Sequence, residues 1–199
     1  MAIRVRRTHY ATAYPAQIEN AKQHINPKHS SALRALGVLD RLTPALTQLL
    51  TVSKERYPNE TGEAFEQRIH KNAEQLRKAR ERVNADFDAA IGREVTALQE
   101  QLYSRVNLKP NEHAVEIRAT FRNMKTGERI DFINELVAEN DGPSLAAIIT
   151  APKSLTGLPK DMASKYVEIA YSKHAPEVWD EMRALMGLVA TRLDILRTV

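Results

Sequence analysis

Apolar residues in this chain recur every three or four positions over most of its length, which is the period of a helix and not of a strand. The longest run begins at Glu63. Phe65, Ile69, Ala73, Leu76, Ala79, Val83, Phe87, Ile91, Val95, Leu98, Leu102 and Val106 succeed one another at these steps, with no proline and only Gly92 among the glycines. The spacing predicts one helix over about 62–106, on the order of 65 Å long at 1.5 Å per residue. Steps of four outnumber steps of three, so it is expected to run nearly straight and not in a heptad supercoil. Such a stripe needs covering by partner helices, from the same chain or from another copy.

Shorter helical patterns flank this one. Leu33, Leu36, Leu39 and Leu42 mark one face from Ser31 onward, and Thr43-Pro44 opens a second helix to about Lys54. After the long run, Asn111 and Thr126 are expected to cap helices carrying Val115, Ile117 and Phe121, then Ile130, Ile133, Leu136 and Val137. Pro143 opens a short apolar helix that Pro152 closes. Pro159 starts a helix to about His174, and Ala175-Pro176 breaks the chain before a last helix through Trp179 and Leu193. The segment between, "IITAPKSLTGLPKDM" (148–162), is greasy yet broken by two prolines and a glycine. It is expected to form a compact corner that buries Leu155 and Leu158. The competing reading is an exposed hook gripped by a partner.

The N-terminal end departs from the helical period. Ile3 and Val5 alternate with Arg4 and Arg6, so residues 1–14 are expected to run extended. A short helix over 15–25 follows, with Pro15 at its first position. The expected fold class is therefore all-α: one long central helix (62–106), shorter helices packed against it, and an extended N-terminal arm. The expected division is a basic arm over 1–30 and a single helical domain over 31–199.

Charge sharpens this picture. The chain has 199 residues and a net charge of +4. Residues 1–34 hold six basic side chains against Glu19 alone, and the rest of the chain sums to −1. A basic arm on a neutral body suits phosphate or an acidic protein surface. Arg4, Arg6 and Arg7 are the candidate partner-binding residues there, with Lys153 and Lys160 at the outer edge of the corner. Cysteine is absent, which excludes disulfides and thiolate chemistry. No apolar run approaches the length of a membrane span, and no membrane contact is expected.

Candidate chemistry is thin. The six histidines (9, 24, 29, 70, 113 and 174) form no HxxxH or HxH pair. Asp86 and Asp88 lie two apart, on different sides of a helix. No nucleophile elbow, Walker loop or dinucleotide fingerprint is present. Neither an enzymatic activity nor a cofactor or metal is expected. Arg68, Lys71, Lys78 and Arg82 share one side of the long helix as a candidate nucleic-acid face. Glu74 and Glu81 are interleaved with them, which favours a self-paired, solvated surface. Trp179, Met182 and Met186 form a stripe that reads as core, with a methionine-rich docking surface as the alternative.

The succession of a short apolar helix, "APKSLTGLP", and a helix ending in "HAPEVWDEM" resembles a segment recurring in uncharacterised helical proteins of tailed bacteriophages and prophages. It covers about residues 140–185. The resemblance implies a virion or assembly component and assigns no functional residue. The expectation is a structural protein acting in several copies, with further copies of itself and other virion proteins as partners. Its place would be the host cytoplasm during assembly and then the particle, or the cytoplasm if the phage resemblance does not hold. The alternative is a nucleic-acid-binding accessory protein using the arm and the Arg68–Arg82 face.

Overall fold

A computed structural model of the chain describes the backbone of residues 2–197 and the side chains of residues 13–190. Among these the regular elements are all helices: α1 (Ala2–His24), α2 (Ser30–Asp40), α3 (Thr43–Lys54), α4 (Gly62–Val106), α5 (Ala114–Asn123), α6 (Thr126–Glu139), α7 (Gly142–Ile149), α8 (Lys153–Thr156), α9 (Lys160–His174) and α10 (Pro176–Arg197). The long helix spans 45 residues, and shorter helices pack against it. Its stripe is buried at Phe65, Leu76, Val83, Phe87, Leu98, Leu102 and Val106, and half-buried at Ile69, Ala73, Ile91 and Val95. The chain itself covers most of what the sequence left in need of a partner. Among the described residues no helix is long and apolar enough to cross a membrane.

The N-terminal segment departs from expectation. It is helical over Ala2–His24, with Pro15 inside the helix and not at its start. Two alternating residues were the only mark of extension. Without a strand to pair with, an extended backbone leaves its N–H and C=O groups unmatched, whereas a helix satisfies them internally. Pro15 removes one such bond. The flanking Tyr14 and Ile18, one turn apart, are both buried.

The chain divides into two compact units. One comprises residues 1–95 with 183–199, the other residues 96–182.

In the first unit, α1 packs on α2 and α3. The Tyr14 hydroxyl donates to the Leu39 carbonyl at 2.7 Å, at the end of α2. Burial, with the nearby Asp40 charge adding to it, raises the pKa of this phenol well above its ordinary value. Ala32, Ala35, Leu36 and Leu39 form the buried face of α2. Around this core the helices are tied by ion pairs: Lys22 to Asp40 at 2.9 Å, Arg41 to Asp86 at 3.6 Å, and Arg34 to Glu94. The last is a two-pronged contact, Nε to Oε1 at 2.8 Å and Nη2 to Oε2 at 2.6 Å. It joins α2 to α4, and the Arg34 hydrogen bond holds the Glu94 carboxyl down to about 2.

The second unit is organised around α7. Leu145, Ala146, Ala147 and Ile148 are four consecutive buried residues, so this helix is apolar on nearly every side, as an interior helix must be. It packs on α5, α6 and α9, and α8 packs on α5. Asp141 caps its start by accepting the Ser144 N–H at 3.1 Å, and Pro143 occupies the first turn, where no donor is missed.

The turn that delivers α7 rests on the end of α4. Asn140 adopts a left-handed conformation (φ 58°), which asparagine tolerates better than most residues. Its Nδ2 donates to the Arg105 carbonyl at 3.3 Å. Next to it, a Cβ on Gly142 would fall 1.7 Å from the Val106 carbonyl oxygen. Only glycine lets the two backbones approach this closely.

The stretch at 148–162 folds as a corner against α5, but not around the expected leucines. Pro152 precedes the single turn of α8, and Gly157 ends it in the left-handed region at φ 74°. Thr156 is the residue turned fully inward, while Leu155 is 45% exposed and Leu158 half-buried. In a helix of one turn, the residue that faces the core depends on where the neighbouring helix lies and not on any local period.

Candidate interaction surfaces

The four expected cations of α4 do not form one free face. Arg68 is turned back onto the loop before the helix. Its Nε and Nη2 donate to the two carboxylate oxygens of Glu60 at 2.8 and 2.7 Å, and Nη2 also reaches the Glu55 carbonyl at 2.7 Å. The guanidinium lies 4.2 Å from the centre of the Tyr57 ring and 5.3 Å from that of Phe65. With its side chain only 18% exposed, Arg68 clasps the α3–α4 loop and is withdrawn from phosphate. The hydrogen bond from Arg68 correspondingly holds the Glu60 carboxyl below its ordinary range.

Farther along, Arg77 is paired with both Glu74 and Glu81, and Lys78 stands 3.9 Å from Glu74. The interleaved acids thus engage Arg77 and Lys78 from within the helix. Lys71 and Arg82 remain exposed. The pairing signal was in the sequence, as Glu and Arg three or four apart. The Arg68 clasp was not, because it depends on how the loop folds back.

Lys153 and Lys160 are both exposed, at the starts of α8 and α9. The side chains of Arg4, Arg6 and Arg7 lie outside the described residues. The Trp179–Met182–Met186 stripe divides: Met182 is buried, Trp179 packs on Tyr171 with ring centres 5.4 Å apart, and Met186 is exposed. Burial, with a smaller effect of Tyr103, pushes the Tyr171 hydroxyl up to about 12. Asp86 is engaged with Arg41. His174 reaches the Val137 carbonyl at 2.5 Å and ties α9 to α6. No group of three or more metal-ligating side chains occurs among the described residues.

Sequence reasoning passed over two helix faces in the second unit. The outward face of α9 presents Met162, Lys165, Ile169, Ser172 and Lys173, all exposed. A shallow depression there is lined by Lys165, Glu168, Ile169, Ser172 and Lys173, all from this one helix, so it is a surface relief and not a cleft. The outward face of α6 presents Asp131, Glu135 and Glu139, and Ile130 is exposed on another flank of the same helix. None of these five charges, Lys165 and Lys173 included, has an ion-pair partner among the described residues. The signal that could have found them is the sign of the non-core positions, read helix by helix.

Comparison with known protein families, with curated proteins and with solved structures gives no significant match.

Proposed function

We propose that this protein is a helical interaction subunit that works in several copies within a larger assembly. The observation that carries the reading is the pair of outward faces on α6 and α9, acidic on one and lysine-rich with apolar side chains on the other, whose charges Asp131, Glu135, Glu139, Lys165 and Lys173 have no ion-pair partner among the described residues. On α4, by contrast, Arg68, Arg77 and Lys78 are engaged by Glu60, Glu74 and Glu81. Surfaces that keep their charges unpaired retain the means of choosing and orienting a partner. The finer reading, from the resemblance of residues 140–185, is a component of a tailed-phage particle. Mass measurement of the native complex tests the first statement, with multiples of the 22.5 kDa chain expected. A monomer at every concentration, alone and with lysate from its source, would refute it. Recovery of the chain in purified particles tests the second.

The competing reading, a nucleic-acid accessory protein, is favoured by the exposure of Lys71 and Arg82. It predicts DNA affinity that falls steeply with salt, with a slope reduced by about one when either residue becomes Ala. Arg68→Ala leaves that slope unchanged on either reading, since Arg68 is committed to Glu60.

A further inference from the structure

We infer that the outward face of α9 in one copy of this chain docks on the outward face of α6 in another. This rests on the multi-copy reading above and names the contact that would build it.

Two features of the two faces match, and a third supports the contact. The first is sign. Lys165 and Lys173 on α9 face outward, as do Asp131, Glu135 and Glu139 on α6, and neither set has an ion-pair partner among the described residues. The second is spacing. Lys165 and Lys173 are eight positions apart, and so are Asp131 and Glu139. At 1.5 Å per residue each pair spans about 12 Å along its helix, so both lysines can meet carboxylates in a single register. The third is the apolar content. At 100° per residue, Met162 and Ile169 fall in the arc between Lys165 and Lys173. On α6 the acidic row carries no apolar side chain; Ile130, 41% exposed, lies about 100° around the helix from Asp131, so the apolar strip is supplied by α9 alone. An apolar strip flanked by opposite charges is the ordinary composition of a specific interface.

The α9 face is not uniformly basic. Asp161 and Glu168 are exposed on the opposite flank of Lys165. They restrict the contact to the Met162–Lys173 side and would oppose a docking that shifted toward the other flank. Glu128, at the start of α6, accepts the Lys125 N–H at 2.8 Å and is already occupied. The two helices pack against each other in the second unit, so both faces belong to one compact body. One copy therefore offers both halves of the contact, which is what a self-assembling subunit requires.

Charge exchange tests this. Self-association of the full chain is followed by sedimentation equilibrium, with circular dichroism confirming the fold of each variant. K165E/K173E and D131K/E139K alter only exposed positions. Each is expected to weaken association at least about tenfold, and raised salt to weaken the wild type in the same direction. Mixing the two variants restores complementary faces and is expected to restore association, as is combining all four changes in one chain. If the wild type associates but the reversals have no effect, or if the mixture stays dissociated, this contact is wrong while the multi-copy reading stands. If the wild type is monomeric throughout, both fall.

Discussion

The two compact units are closed by different means. The first adds long-reaching polar ties to its apolar core: the Tyr14 hydroxyl on the Leu39 carbonyl, Lys22 on Asp40, and Arg34 on Glu94, sixty positions away. The second is held by an apolar helix, α7, and by a backbone contact that admits no side chain at Gly142. Polar ties at a surface are individually weak and adjust to change. A packed interior with two backbones in contact does not adjust. The second unit should therefore be the brittle part of the molecule and the first the forgiving one.

The sharpest way to break this comparison is to make one substitution at two glycines. Gly142→Ala places a methyl group 1.7 Å from the Val106 carbonyl oxygen. It is expected to cost roughly 3–5 kcal/mol in urea unfolding. Gly92→Ala, in the helical run of α4 within the first unit, meets no atom within 4 Å and should stabilise by up to about 1 kcal/mol. Opposite signs support the contrast, and similar losses would end it. Next in size, Ile148→Ala removes a fully buried side chain from α7 and should cost about 2–5 kcal/mol. Leu155→Ala, at a 45% exposed position in the same corner, should cost well under that and leave the melting temperature nearly unchanged.

The smallest effect probes the polar ties. The Glu94 carboxyl is held at about 2, below its ordinary 4.5. The charged form is favoured by folding, so its stabilisation is complete above the ordinary value and is lost as pH falls from there through about 2. Glu94→Gln should cost less than about 1 kcal/mol at neutral pH. It should also flatten the acid limb of the stability profile over that interval, measured by urea midpoints at successive pH values.

The elements with a full periodic window were legible in the sequence. The long helix ends at Val106 as its stripe does, and α7 and α10 carry a proline in the first turn, as their spacing predicts. What could not be read was set by distant chain. The helical course of α1 had no periodic stripe to mark it. The inward turn of Thr156 in place of Leu155 needs the position of α5, and the withdrawal of Arg68 needs the fold of the loop at Glu60. The candidate faces were half visible. Acidic residues at one helical spacing on α6 and lysines on α9 stand in the sequence, but only the helix packing shows which sides remain outward.

The division of the chain also sets an order of assembly during synthesis. Residues 96–182 form one uninterrupted stretch, so every part of the second unit exists once Met182 has left the ribosome. The first unit begins at the N-terminal end yet includes residues from Arg183 onward. Residues 1–95 must therefore wait for those from Arg183 onward. Domains usually fold in the order in which they emerge, and here the later one would be complete first. Through that interval Phe87, Leu36 and Leu39, buried in the finished protein, belong to a unit still lacking its final segment. The nascent chain is then most open to chaperones, and to premature contact with its own kind, over residues 1–95.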